Sequence, residues 1–326
     1  MNVLVTGGTG LIGAYVTRQL VDAGHQVTIY DLTPDREFLN DLLSPVQLEA
    51  VTVIRGDVTD LPALLHATKN SGAQRVIHLA ALLGEKSNDN PPMSLQVNCG
   101  GMLNVLEAAL NCGIKRVVWA SSVGVWGLAS KRPPGPVANE ALHSPSDLYG
   151  ACKSLNERFS KHYRRVYGLD CIGLRYSLVY GYGKARTIAR GTGADFMIEL
   201  IDKPASGLPG VVPAGEAILD FLHVEDAARA TLLACEATPI KPVALNVGGY
   251  RASLREAAEM VKAALPGANI AVEDGSWKGV NHHYDLSVAA AAIGYSPRIT
   301  LDEGLRENIA QIQRRLATRA TRAARD

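Results

Sequence analysis

NVLVTGGTGLIGAYVTRQLVDAGHQVTIYD, residues 2–31, reads as an apolar strand, a glycine turn, an amphipathic stretch and a second strand ending in a carboxylate. Gly7, Gly10 and Gly13 recur every three residues, and Gly8, Gly10 and Gly13 also satisfy GxGxxG. Glycines placed between a strand and a helix permit a tight turn, let backbone amides approach a pyrophosphate at an anion-friendly helix N-terminus, and allow close helix packing. The segment is therefore expected to bind a dinucleotide. At the end of the second strand, Asp31 is placed to accept both adenosine ribose hydroxyls and to repel a 2′-phosphate, which predicts NAD rather than NADP.

Outward from this unit, short runs rich in Val and Ile recur at 51–57, 75–80, 115–121 and 171–176, with segments of helical length between them. That alternation predicts an α/β fold, a doubly wound parallel sheet of the Rossmann kind covered on both faces. Beyond about residue 180 the rhythm changes to a Gly- and Pro-rich stretch at 182–213, expected to hold loops over a cleft and one short helix near Ala194–Ile201. ALNVGG at 244–249 is expected to return to the sheet, and helices are expected over 253–265 and 301–317. The organisation expected is an NAD-binding domain over 1–176, with a return segment at about 219–249, and a smaller C-terminal substrate-binding lobe from about 177–218 and 250–326.

Composition limits the function classes. The 33 basic and 32 acidic side chains leave a net charge of +1, so no strong field points to nucleic acid or an anionic membrane, and a small-molecule substrate is expected. Five dispersed cysteines without a CxxC pair indicate neither a zinc site nor a disulfide framework. The adjacent His282 and His283 lack a third ligand at metal spacing, so no metal is expected. A start directly in a strand leaves no room for a signal peptide, no run approaches a membrane span, and a cytoplasmic location is expected.

The chemistry lies in YGACK. Tyr149 and Lys153 are an i, i+4 pair sharing one helix face. A phenol near pKa 10 becomes a usable base when an ammonium beside it favours the phenolate, so Lys153 is expected to lower the pKa of Tyr149. WASSVGVWG at 119–127 ends a strand with Ser122, whose hydroxyl is a neutral donor for a developing alkoxide. Together these residues predict reversible hydride and proton transfer at a carbon bearing a hydroxyl. Asp57 and Val58, after the third strand, suit either an adenine contact or a plain turn cap.

With these motifs in view, the chain resembles the extended short-chain dehydrogenase/reductases, in particular the NAD-dependent epimerase/dehydratase family of UDP-galactose 4-epimerase-like enzymes. TGGTGLIG, GDVTD, HLAA, NCGGMLNVLEAA, ASSVGVWG, YGACK, LRYSLVYG, DFLHVEDAA and IGYSPRITLDEGL occur in the family's order across nearly the whole chain. The resemblance implies that Ser122, Tyr149 and Lys153 form the catalytic triad, with Tyr149 and Lys153 also touching the cofactor. It implies cofactor contacts from Gly7, Gly10, Leu11, Ile12, Gly13, Asp31, Asp57, Val58, Leu79, Ala80, Ala81 and Asn98. A homodimer through helices near 93–111 and 148–167 is implied as well.

The chain departs from similar sugar-nucleotide enzymes where they hold a diphosphate. An Asn and two Arg are replaced by Leu178, Leu219 and His282, and leucine cannot supply charge-assisted forks. Val123 and Gly124 follow Ser122 where dehydratases resembling this chain carry an Asp-Glu pair. The sequence is thus read as an NAD-dependent oxidoreductase interconverting a secondary alcohol and a ketone on a small polar substrate, a sugar, sugar acid or hydroxy acid. Arg186, Arg190 and His282 are candidate substrate contacts beside Ser122. The alternative is a sugar epimerase whose bound cofactor is reduced transiently.

Overall fold

In the computed structural model the described residues are 1–189, 191, 194–275, 277 and 279–323, with side chains described through 318. Seven strands form the main sheet among them. They are β1 (Asn2–Thr6), β2 (Gln26–Asp31), β3 (Val51–Arg55), β4 (Arg75–His78), β5 (Arg116–Ser122), β6 (Asp170–Tyr176) and β10 (Ala244–Val247). The spatial order is β3-β2-β1-β4-β5-β6-β10, and every pairing is parallel. The order in which strands are added reverses between β1 and β4, and a doubly wound sheet opens its ligand crevice at such a point.

Helices cover both faces. On one, Leu11–Asp22 packs on Val224–Glu236, where Ala227, Ala228, Ala230 and Ala234 leave room for Tyr15, Val16 and Leu20. On the other, Leu61–Asn70, Gly101–Asn111 and Leu148–Tyr167 bury Leu64, Val105, Leu106 and Tyr163 against Leu4, Val76, Val117 and Trp119. Burial on both sides explains why the inner strands read as continuous apolar runs. No helix among the described residues is long and apolar enough to cross a membrane.

A second core holds the remaining chain. Strands β7 (Leu178–Tyr180), β9 (Ile218–His223) and β11 (Tyr250–Ser253) make a mixed sheet in the order β11-β9-β7, and β8 (Gly210–Val212) pairs with β12 (Ile270–Val272). Helices Leu254–Ala264 and Leu301–Ala323 close over them, the first begun by a Ser253/Glu256 capping box. The return strand at 244–247 joins β6 as expected. The short helix expected near 194–201 is present but begins at 196, widens into a π-helical stretch at Ile198–Asp202 and runs on into Lys203–Ala205, and a further helix occupies Lys184–Ile188. Strands β7, β9 and β11 were not anticipated from the sequence. ILDFLH is buried along almost its whole length, so it shows no alternation, and its partners are distant in sequence.

Candidate active site

The glycine turn fits a pyrophosphate for separable reasons. Gly7 has φ +68°, and a Cβ there would lie 2.7 Å from the Ala80 backbone nitrogen, so the turn after β1 touches the chain leaving β4. A Cβ on Gly13 would come within 2.2 Å of the Gly7 carbonyl oxygen, which makes that glycine a packing requirement. Gly10 differs. Its Cβ would meet only the Gly7 oxygen, at 3.3 Å, so the space before it is open. Gly10 is the N-cap of Leu11–Asp22 and offers no side chain to the first helical amides, leaving those at Leu11, Ile12 and Gly13 for an anion.

Asp31 closes the other side. One carboxylate oxygen accepts from the Thr9 amide (3.1 Å) and hydroxyl (2.7 Å), and the other from the Thr33 amide (3.1 Å). A carboxylate has about four acceptor sites, so about one remains for a ribose hydroxyl rather than room for two. A carboxylate at this place opposes a 2′-phosphate. Asp57 accepts from the Thr59 amide at 2.9 Å, a turn cap, while the buried Val58 offers its carbonyl to Asn104. Leu79, Ala80 and Ala81 leave β4 along the crevice. The amides of Leu79 and Ala80 donate to the carbonyl and hydroxyl of Thr6, and that hydroxyl also bonds His78 at 2.7 Å. Burial, and then the charge of Lys153, push His78 down to about 3, so it is neutral.

Asn98 lies in a π-helical turn, Leu95–Gly100, a distortion that recurs at functional sites. Its side-chain amide bonds both the carbonyl and the amide of Leu82, and its backbone carbonyl accepts from Asn156 on the helix Leu148–Tyr167.

Ser122 ends β5, and its hydroxyl accepts from the Gly124 amide at 3.0 Å. Tyr149 and Lys153 come from the first turns of the 20-residue helix begun by Asp147, whose side chain accepts from the Gly150 amide. Glycine at 150 is required, because a Cβ there would lie 2.5 Å from the Gly124 carbonyl oxygen. The Tyr149 phenol is in hydrogen-bonding range of Ser122. Lys153 is buried, with Nζ 5.4 Å from the Tyr149 ring centroid and donating to the Ala120 carbonyl at 2.7 Å.

The electrostatics correct one expectation. Burial, reinforced by Asp147, pushes the Tyr149 phenol above its usual range, against a smaller opposite effect from Ser122. Burial also pushes Lys153 down to about 8, so at neutral pH it is largely charged. In the free protein the phenol holds its proton, with desolvation the largest effect on it.

The proposed substrate contacts fare differently. Arg186 is committed to Asp35 (2.6 Å) and Asp41 (3.7 Å) and lies over the Phe38 ring, on the cofactor side of the cleft. Arg190 lies outside the described residues. His282 is buried, bonds the Gly127 carbonyl at 2.9 Å and is held below its usual pKa by burial. Leu219 is 2% exposed within the second core, and Leu178 packs against that cluster.

Two buried polar groups were missed by the sequence reading. Asp220 on β9 is buried and accepts from the Ser177 hydroxyl (2.6 Å) and the Gly249 amide (2.7 Å), and Ser177 directly follows Tyr176, the register partner of Ser122. Glu157 is the other. Its spacing, eight residues after Tyr149 on the same helix face, was the available signal.

A nucleotide crevice at the switch point, with Ser122, Tyr149 and Lys153 beside it, defines an NAD-dependent enzyme of the extended short-chain dehydrogenase/reductase type. A sequence profile described as the NAD dependent epimerase/dehydratase family matches residues 3–248, and the chain belongs to that family. It is 28% identical over 317 residues to a putative UDP-glucose 4-epimerase of Methanocaldococcus jannaschii, covering 93% of this chain and 96% of that one. Among solved structures it resembles UDP-N-acetylglucosamine 4-epimerase of Methanobrevibacter ruminantium, in complex with UDP-N-acetylmuramic acid. There the TM-score is 0.85 and the identity 28%, over 96% of this chain and 98% of that one. It also resembles the UDP-glucose 4-epimerase of Thermus thermophilus in complex with NAD, with TM-score 0.79 and 26% identity over 96% and 99% of the two chains. The cofactor is NAD.

Proposed function

We propose that the protein epimerises a nucleotide-linked sugar at a secondary alcohol, with Ser122, Tyr149 and Lys153 as the catalytic residues. The observation that carries this reading is the Ser122–Tyr149–Lys153 cluster beside the nucleotide crevice, in a chain similar along its length to UDP-sugar 4-epimerases. When bound, NAD would supply reversible hydride acceptance at the substrate carbon. The Gly7–Gly13 turn and the first amides of Leu11–Asp22 would hold its pyrophosphate, Asp31 a ribose hydroxyl, Asp57 and Val58 the adenine side, and Leu79–Ala81 with Asn98 the nicotinamide side. Tyr149 exchanges the hydroxyl proton at its phenol oxygen. Ser122 donates to the same substrate oxygen, and the buried Lys153 ammonium lies beside the phenol ring.

A second reading rests on a specific observation. Leu178 and Leu219 are apolar and His282 is engaged by the Gly127 carbonyl, so three positions that hold a diphosphate in similar enzymes offer no free donor here. This favours a dehydrogenase acting on a smaller hydroxy or keto compound. One experiment separates the two. Purified protein is incubated with NAD or NADP and with UDP-glucose, UDP-glucuronate or simple hydroxy acids, while nicotinamide absorbance and product stereochemistry are followed. The expected result is a 4-epimer without net NADH, with NADP about tenfold or more less effective because of Asp31, equivalent to at least about 1.4 kcal/mol. Stoichiometric NADH from a hydroxy acid, with no epimer from any UDP-sugar, selects the second reading.

The proposal includes a homodimer. Met93, Leu95, Leu155, Val166 and Tyr167 expose apolar surface along the 91–100 and 148–167 helices. Light scattering is expected to give twice the chain mass, and a strictly monomeric protein would remove this part of the reading.

A further inference from the structure

We propose that Ser121 and Glu157 are positioning residues that set the distance between Ser122 and the Tyr149–Lys153 pair. The inference rests on the catalytic reading of that cluster. Tyr149, Lys153 and Glu157 are spaced four residues apart along one helix, so they project from one face in successive turns. That face is fastened to the end of β5 at two consecutive residues. Lys153 Nζ donates to the Ala120 carbonyl at 2.7 Å, and the Ser121 hydroxyl donates to Glu157 Oε1 at 2.8 Å. The next residue along the strand is Ser122.

Glu157 is itself immobile. Oε1 also accepts from Arg175 Nε at 2.8 Å, Oε2 accepts from Arg175 Nη2 at 2.6 Å, and His143 Nε2 lies 3.3 Å from Oε2. With Ser121 these contacts fill about all the acceptor sites of a carboxylate, so it has one arrangement. Arg175 is held in turn by the Asn139 carbonyl at 2.8 Å and lies over the Trp126 ring, 4.5 Å from its centroid. His143 bonds the Ser154 hydroxyl at 2.8 Å, and Ser154 adjoins Lys153. The carboxylate thus ties strand β5, strand β6, the 137–146 loop and the active-site helix to one point.

A purely structural role needs only the Glu157–Arg175 pair. The Ser121 hydroxyl adds a bond to the one strand residue whose displacement would move Ser122 directly, and a misplacement of about 1 Å at a reacting group costs about a hundredfold in rate. The Ser121 hydroxyl is turned to Glu157, so its loss is expected to leave NAD binding intact.

The test compares Ser121→Ala, Ser121→Thr and Tyr149→Phe with the unaltered holoenzyme, measuring kcat and KM for interconversion of UDP-glucose and UDP-galactose and, separately, NAD affinity by calorimetry. Ser121→Ala is expected to lower kcat about tenfold or more with KM and NAD affinity unchanged, and Ser121→Thr, which keeps the hydroxyl, to restore it. Amide hydrogen exchange over 122–126, which needs no turnover, is expected to rise in Ser121→Ala and to return in Ser121→Thr. Full turnover or unchanged exchange in Ser121→Ala overturns the proposal, as does a parallel loss of NAD affinity, which would mark a general structural role. If Tyr149→Phe also keeps full turnover, the catalytic reading has failed. If only Ser121→Ala does, the failure belongs to the positioning proposal alone.

Discussion

Tyr149→Phe is expected to lower kcat by about a hundredfold to ten-thousandfold while NAD affinity changes little. The substitution removes one oxygen and keeps the ring. That oxygen is the group within hydrogen-bonding range of Ser122, and its ring centroid is 5.4 Å from the Lys153 ammonium. General acid–base groups contribute rates of this size, equivalent to about 3–5 kcal/mol of transition-state stabilisation. The loss is expected in kcat rather than KM, because proton transfer is made only in the transition state. Since burial leaves the free phenol protonated, the direction that delivers a proton to a ketone starts with the correct form, while alcohol oxidation must first remove one. Steady-state kinetics with a parallel NAD titration measures both quantities. Full activity in the variant would remove Tyr149 from the chemistry.

Glu157→Gln is expected to destabilise the protein by about 3–5 kcal/mol, because it leaves the Arg175 guanidinium buried without its counter-charge. Against a total stability of about 5–15 kcal/mol this is a large fraction, and a fall in melting temperature of about 5–15 °C is expected by circular dichroism. Burial alone would raise the Glu157 carboxyl, but hydrogen bonds and charge from Arg175 and His143 hold it down to about 2. A carboxylate depressed in the folded state contributes its stability above its unfolded value, about 4.3, and loses it as pH falls through about 2. The difference between variant and unaltered protein is therefore expected to be full at neutral pH and to shrink as pH drops through that window. A melting temperature unchanged at pH 7 would mean that the Asn139 carbonyl and the Trp126 ring satisfy Arg175 by themselves.

Much of this was legible in the chain. Residues 2–31 specify the first strand, turn, helix and second strand because glycine spacing and apolar periodicity are local properties, and the other main-sheet strands announce themselves as short apolar runs. YGACK placed Tyr149 and Lys153 on one helix face for the same reason. The small sheet was not legible, because β7, β9 and β11 are short and pair across long stretches of sequence. Nor was the partner of Lys153. The sequence suggested that its charge lowers the Tyr149 pKa, whereas the fold turns Nζ to the Ala120 carbonyl and buries the phenol.

Arg186 shows the same division. In sequence it is a cation in a Gly-rich loop, open to any anion, and the fold brings Asp35 and Asp41 to it from the helix that follows Asp31. Glu157 is an ordinary helical glutamate until Arg175, His143 and Ser121 converge on it. Local spacing fixed which residues share a turn or a helix face, and so placed the glycine turn before its helix and Tyr149 with Lys153 on one face. Which charges meet and which groups lose water depend on contacts between distant segments, so the phenol's ionisation, the engagement of Arg186 and the Glu157 anchor were decided only by the tertiary structure.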